Sequence, residues 1–343
     1  MRFVRSLRLF LGVCAAVFAI GASSVLAAPR IIATDGYYII GDGMNESLAV
    51  AKERAKTDAL RNASMQAGVY IESLTVVKEG YVTKDEIAAI SANVMQVKGE
   101  PIFKVETIEN NVIRYKCHIT VAVDADNINA KLIQDKRTLS ETAQRNRELE
   151  AEVSRLNSEM DKLKQKYSKA ATEQERKEIR NAVKRNDDEF LAAGLNEQGA
   201  KLCAKGRYQE ALVVFTQALA KNPKLSYAYH NRGIAYGKIQ KYREAVEDFS
   251  RAITLDDNYA TAYGGRGFAY FGLDDYVSAA QDFSKAIALN PSYAEAYYGR
   301  GNAYMSVGHY EEALIDYERA LELNPNLEAA KANRDAILTA MNG

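Results

Sequence analysis

The sequence predicts a multi-domain fold: a small α+β N-terminal domain, a long helical coiled coil, then an all-α superhelix of four repeats with a capping helix. Three observations predict it. Gly199, Gly233, Gly267 and Gly301 recur every 34 residues, and Ala211, Ala245, Ala279 and Ala313 keep that interval. Ahead of them lies a stretch without proline or glycine, dense in Glu, Lys, Arg and Gln. Ahead of that, residues 30–128 mix alternating and helical patterns. A fixed period of this length marks a stacked array, in which one unit cannot cover its own apolar face.

Residues 1–27 place Arg2, Arg5 and Arg8 before an apolar run from Leu9 to Leu26, and Val25-Leu26-Ala27 fits a small-residue cleavage site. This is the pattern of a secretory signal peptide, so the protein is expected in the periplasm or outside the cell. An uncleaved anchor is the alternative, since the run is nearly long enough to span a bilayer. Val13 before Cys14 is unsuited to lipoprotein processing, and no lipidation is expected. Lys+Arg and Asp+Glu both number 45, for a formal net charge of +0. Loss of the leader would leave a slight acidic excess, which gives no footprint for nucleic acid or anionic lipid. Cys117 and Cys203 fall in different regions, so each is expected to behave as a small buried apolar residue.

In residues 30–128, Tyr37–Ile40 reads as a short strand, ended by Gly41-Asp42-Gly43. Asn45 can cap a helix running to about Ala67, on which Ala51, Ala55, Ala59, Ala63 and Ala67 form a stripe suited to close packing on a sheet. Val69–Lys78 is β-rich, and Asp85–Ala92 is a short helix candidate. Ile102–Ile108 and Val112–Val123 flank Asn110-Asn111 and read as a hairpin. Ile113, Tyr115, Cys117, Ile119, Val121 and Val123 face one way; Arg114, Lys116, His118 and Thr120 face the other. The Gly41–Gly43 turn lacks a third glycine and is read as a plain tight turn. The runs Ala51-Lys52-Glu53-Arg54-Ala55, Gly68-Val69-Tyr70-Ile71-Glu72-Ser73 and Asp85-Glu86-Ile87 with Ile90-Ser91-Ala92 resemble the N-terminal domain of the flagellar assembly protein T and related small envelope lipoproteins. That resemblance implies a bacterial cell-envelope location and no catalytic activity.

Residues 129–190 read as one long helix or two nearly continuous ones. Leu139, Asn146, Val153, Met160 and Tyr167 take one seam position of a heptad, and Thr142, Leu149, Leu156, Leu163 and Ala170 the other. A lone amphipathic helix has no core to lie on, so a homo-oligomer through this seam is expected. A solvated spacer helix is the alternative. Past Ala170 the period is lost.

The array occupies residues 192–343, in units 192–225, 226–259, 260–293 and 294–327, with a capping helix at 328–341. In the second unit Tyr229, Gly233 and Tyr236 recur at helical spacing, then Ala245, Phe249 and Ala252 do so again. The short connection Lys238–Tyr242 makes the two helices antiparallel neighbours. Pro223, Asp257, Pro291 and Pro325 close the four units. This pattern resembles the tetratricopeptide repeat. Arg232, Arg266 and Arg300 stand where that family commonly has leucine, and Asp248, Asp282 and Asp316 occur in the same three units. The first unit has Gln198 and Val214 instead. Each Arg is expected to pair with an Asp between its helices or in the adjoining unit.

The resemblance implies that first helices line a groove for a protein or peptide partner. Its residues would be Asn196 and Ala200, then Tyr227, His230 and Ile234, then Phe268 and Phe271, then Tyr298, Asn302 and Met305. They would anchor an extended or helical segment, or serve as core between units. Some family members grip a C-terminal carboxylate with cations in the groove; here only Lys238 lies near. His118, His230 and His309 share no motif, and no nucleophile elbow, phosphate loop or metal-ligand spacing is present. The reading is a non-enzymatic exported scaffold without cofactor, whose coiled coil would present several arrays at once. Its alternative is an envelope protein that recognises a ligand or senses assembly through the N-terminal domain.

Overall fold

The computed structural model describes residues 29–40, 47–75, 87, 91, 95–108, 112–123 and 136–342. The chain divides into two compact units at Leu149. The expected leader, the Gly41–Gly43 turn, Asn45 and the Asn110-Asn111 turn lie outside the described residues. So does the short helix at Asp85–Ala92, apart from Ile87 and Ser91, which are both helical.

In the first unit β4 (Val112–Val123) is the central strand. β1 (Arg30–Ile39) pairs with it antiparallel along its length, from Arg30↔Val123 to Ile39↔Arg114. β3 (Ile102–Ile108) forms the expected antiparallel pair on its other side, and β2 (Met95–Val97) pairs beyond it, against Val121–Val123. Alternation puts Tyr115, Cys117, Ile119, Val121 and Val123 on one buried face, as the sequence predicts. Burial pushes the Cys117 thiol up, as suits a small apolar packing residue.

Helix α1 (Leu48–Thr75) covers that face. Its stripe of Ala51, Ala55, Ala59, Ala63 and Ala67 is buried throughout. The approach is so close that a Cβ on Gly36 of β1 would stand 2.0 Å from the Ala59 nitrogen and 2.3 Å from the Ala55 oxygen. Only a strand without a side chain there can lie against a helix of alanines. Two expectations are corrected. The first strand begins at Arg30, not Tyr37. The β-rich run from Val69 is helical to Thr75, because Gly68 prolongs the small-residue stripe against Ile87 and Ser91. Tertiary contact there overrides local β propensity.

From Leu149 on, within the second unit, α2 (Lys136–Lys169) and α3 (Glu173–Ala204) fold back on each other as a hairpin. Ala170-Ala171-Thr172 links them, at the point where the heptad fails. The Thr172 hydroxyl accepts from the Glu175 N–H at 3.2 Å, and the Glu175 carboxylate accepts from the Thr172 N–H at 3.0 Å. This reciprocal cap stops one helix and starts the next. The Asn186 amide of α3 donates to the Leu156 carbonyl of α2 at 3.0 Å, and Arg155 reaches Glu189 at 3.2 Å. Leu156, Met160 and Leu163 are buried on α2; Val183, Asn186 and Phe190 are buried on α3. Leu156, Met160 and Leu163, the middle of the seam expected to join two copies, are thus buried within one chain, and the helix breaks at Ala170-Ala171-Thr172.

α3 runs unbroken past residue 190, so its last turns serve as the first helix of the first repeat. The array continues with α4 (Tyr208–Lys221), α5 (Ser226–Lys238), α6 (Tyr242–Leu255), α7 (Ala260–Phe271), α8 (Tyr276–Leu289), α9 (Ala294–Ser306) and α10 (Tyr310–Leu323). It ends in α11 (Glu328–Asn342). Phe215, Phe249, Phe283 and Tyr317 are the buried pivots. Phe249 fits between two helix backbones: a Cβ on Gly233 of its own unit would meet its ring at 3.1 Å, and one on Gly265 of the next unit at 2.6 Å. Each second helix ends at an Asx turn. Asn222, Asp256, Asn290 and Asn324 accept from the N–H two residues on, at 3.0–3.2 Å. That turn explains why Asp257 can stand where the other units have proline.

Candidate peptide-binding face

Arginine and aspartate form a ladder through the array. Arg232 meets Asp248 at 2.7 and 2.8 Å, Arg266 meets Asp282 at 2.7 and 2.8 Å, and Arg300 meets Asp316 at 2.8 Å twice. Each pair joins the two helices of one unit. The remaining guanidinium nitrogen reaches back to a hydroxyl of the preceding unit: Thr216 at 3.1 Å, Ser250 at 3.0 Å and Ser284 at 3.0 Å. Tyr229, Tyr263 and Tyr297 lie beside the three guanidinium groups at 5.5–5.7 Å. The aspartate hydrogen bonds raise all three arginines above the usual guanidinium range. The sequence predicted the pairing; the hydroxyl partners were legible too, since Thr216, Ser250 and Ser284 recur with the same period. These three guanidinium groups are committed to holding the fold.

The expected groove residues divide into groups. Ile234 of α5 and Phe268 of α7 hold the same position in successive first helices, and each is 38 % exposed. The Phe268 ring rests edge-on against Phe283 at 4.8 Å. His230 is half-buried, 5.6 Å from the Phe249 ring and 4.8 Å from that of Tyr259. Phe271 packs edge-on against Tyr276 at 5.2 Å. Tyr298 leans on Tyr317 at 6.1 Å. Asn302 accepts from the Tyr317 hydroxyl at 2.7 Å and from Asn333 of α11 at 2.9 Å, while the Met305 sulfur lies 3.6 Å from that hydroxyl. Those three residues are tied to the capping end. Asn196 is buried and accepts from Asn231 at 3.0 Å. Tyr227 is half-buried; burial pushes its phenol well up, and Glu152 of α2 adds to the shift while Arg155 opposes it. The open part of this face is thus Ile234 and Phe268. The lining is apolar and aromatic, and Lys238, at the end of α5, is exposed.

The first unit presents a second surface. On the sheet face opposite α1, Asp35 takes Lys116 and His118 at 2.7 Å each. The Lys116 hydrogen bond holds the Asp35 carboxyl below the usual carboxylate range. The Tyr37 ring lies 4.9 Å from the Arg114 guanidinium and 5.6 Å from the Lys116 ammonium. Ile31, Ile39 and Ile102 share this face by register and are exposed. Among the described residues no group of three His, Cys, Asp or Glu side chains could hold a metal ion. Among them, too, no helix is long and apolar enough to cross a membrane.

The comparisons with known proteins agree with the array. The tetratricopeptide repeat model matches residues 226–259 and 294–327, and a second TPR repeat model matches 199–240 and 273–308. The C-terminal region therefore carries tetratricopeptide repeats, a unit that typically mediates binding to proteins or peptides. Among solved structures, the first TPR of Spaghetti (RPAP3) bound to the HSP90 peptide SRMEEVD is 35 % identical, covering 34 % of this chain and 94 % of that one, with a TM-score of 0.34. The first TPR domain of human RPAP3 is also 35 % identical, covering 35 % of this chain and 95 % of that one, at 0.34. MamA is 28 % identical, covering 42 % and 84 %, at 0.39. No curated protein matches.

Proposed function

We propose that this protein is a non-catalytic scaffold whose repeat array takes a segment of another protein, with Ile234 and Phe268 as apolar anchors. One observation carries the reading. Those two side chains stand at one position of successive first helices and stay exposed, while Phe215, Phe249, Phe283 and Tyr317 are buried. The partner's anchoring residues are apolar. An acidic tail finds little here, because Arg232, Arg266 and Arg300 are already held by aspartates. The leader-like residues 1–27 support export, which makes the partner another envelope protein.

Selection of a displayed random-peptide library on the full chain tests this. Enriched peptides should carry large apolar residues and should lose binding to the I234D/F268D variant, whose helix content stays unchanged. Enrichment that survives both substitutions would refute the reading. A second reading places recognition on the N-terminal sheet, favoured by Ile31, Ile39 and Ile102 exposed beside the Asp35–Lys116–His118 cluster. Peptides lost with I31D/I39D instead would support that.

A further inference from the structure

The outer edge of β3 is bare. The Ile40 N–H, just past β1, donates to the Ile113 carbonyl at 3.0 Å, so odd-numbered residues of β4 turn their backbone groups toward β1. Even-numbered ones turn toward β2 and β3, as Thr120 does in accepting from the Lys98 N–H at 2.8 Å. In the register of β3 this leaves Phe103, Val105 and Thr107 with their N–H and C=O groups pointing away from the sheet. Among the described residues nothing bonds to those groups. Val105 is 59 % exposed, and Thr107 is exposed beside it. The opposite edge differs. On β1 the Tyr37 N–H donates to Asp58 at 3.0 Å and the Asp35 carbonyl accepts from Asn62 at 2.9 Å, so side chains of α1 occupy that edge. An uncovered edge strand without an internal proline is a template for another strand.

The residues of β3 say which strand fits. Ile102-Phe103-Lys104-Val105-Glu106-Thr107-Ile108 is self-complementary about Val105. Laid antiparallel on a copy of itself about a two-fold axis at Val105, it sets Lys104 opposite Glu106, Ile102 opposite Ile108 and Phe103 opposite Thr107. Val105 meets its own copy at the centre, and the outward backbone groups of Phe103, Val105 and Thr107 all find partners. We infer that β3 is a dimerisation edge, which joins two copies of this chain through this pairing into one continuous sheet. Two features of the single chain favour it. Lys104 stands beside Lys116 in the register, whose ammonium is taken by Asp35 at 2.7 Å, while Lys104 meets no carboxylate among the described residues. Like charges side by side are unfavourable, and the copy's Glu106 relieves them. Glu106 holds Arg114 through Oε2 alone, at 2.8 and 2.5 Å, which leaves Oε1 for the copy's Lys104. A dimer of this kind carries two repeat arrays, and so binds a multivalent partner with greater avidity.

Sedimentation velocity of the full chain over a concentration series tests this. Wild type should pass from monomer to dimer as concentration rises. Val105→Pro removes an N–H that β4 does not use, and should leave a monomer with unchanged circular dichroism. K104E sets glutamates face to face and E106K sets lysines face to face, so each alone should dimerise at least about tenfold more weakly. Mixed in equal amounts, the two variants restore both opposite-charge pairs and should dimerise as tightly as wild type. A wild type that stays monomeric up to about 100 μM overturns the inference. So does a dimer that a folded Val105→Pro chain retains, or a mixture no tighter than its components. If Val105→Pro fails to fold, the charge-swapped mixture decides alone.

Discussion

Arg266 grips Asp282 through two hydrogen bonds of 2.7 and 2.8 Å across one helix pair, with the carboxylate side chain only 10 % exposed. A third bond carries the same guanidinium to Ser250 in the unit before. One side chain thus closes its own repeat and fastens it to its neighbour, the two terms that sum to the stability of a stacked array.

Arg266→Met strands a buried carboxylate and should cost about 3 kcal/mol in urea unfolding. The double variant Arg266→Met, Asp282→Leu should recover most of that loss, since an apolar pair of similar volume leaves no charge unpaired. Equal losses in both variants would show that the ladder acts through something other than pairing. Peptide preference should be unchanged in either.

Much of the array could be read from its period, because four copies in register vote on each position. What could not be read was who covers the seam of α2. A heptad stripe announces an apolar face but not whether a second copy or the same chain lies on it. The signal was present in Val183, Asn186 and Phe190, an apolar-rich run at helical spacing, and in Thr172-x-x-Glu175, a capping box that breaks the helix. On the binding face, Ile234 and Phe268 stay 38 % exposed, although Phe268 has one ring edge against Phe283 of its own unit. Asn302 and Met305 differ because α11 closes over the end, placing Asn333 against Asn302 and packing its apolar residues into the cluster that Met305 joins. The β-rich run after Val69 misled for a local reason: propensity was weighed without the alanine stripe that continues into Gly68.

The turns inside the repeats make a backbone prediction. Gly206, Gln240, Asp274 and Gly308 hold one position in the four units, and all have positive φ, at 73°, 60°, 60° and 82°. Glycine adopts this region freely, whereas a side chain there costs roughly 1 kcal/mol. Gln240→Gly should therefore stabilise the chain by about 1 kcal/mol, with Gly206→Ala destabilising by a similar amount. Chemical denaturation reads both; a destabilised Gln240→Gly variant would show that the glutamine side chain contributes more than its strain.

The Asp35 cluster makes a prediction about acid. Lys116 lowers the Asp35 carboxyl in the folded chain relative to its ordinary value. A depressed carboxyl contributes stability that is present above the unfolded value, about 3.9, and is lost as pH falls through the folded one. The first unit should therefore lose stability as pH drops below about 4, and Lys116→Met should shrink that acid-dependent loss. Strand-specific hydrogen exchange on β1 and β4 between pH 3 and pH 6 measures it. An identical pH profile in the variant would rule out the ion pair as the cause.

The link between α2 and α3 is where the hairpin can be weakened without touching either packed face. The Thr172 hydroxyl satisfies an orphan N–H at the start of α3, and Glu175 answers with bonds to the N–H groups of Thr172 and Ala171 at 3.0 and 2.9 Å. Thr172→Ala removes the hydroxyl half of that exchange and should cost about 1 kcal/mol. The cost is local, because the array's own core begins well beyond it. Amide exchange should therefore speed up in α2 and the first turns of α3, while α5–α10 keep their protection. Faster exchange spread evenly over all repeats would mean that the hairpin and the array unfold as one body.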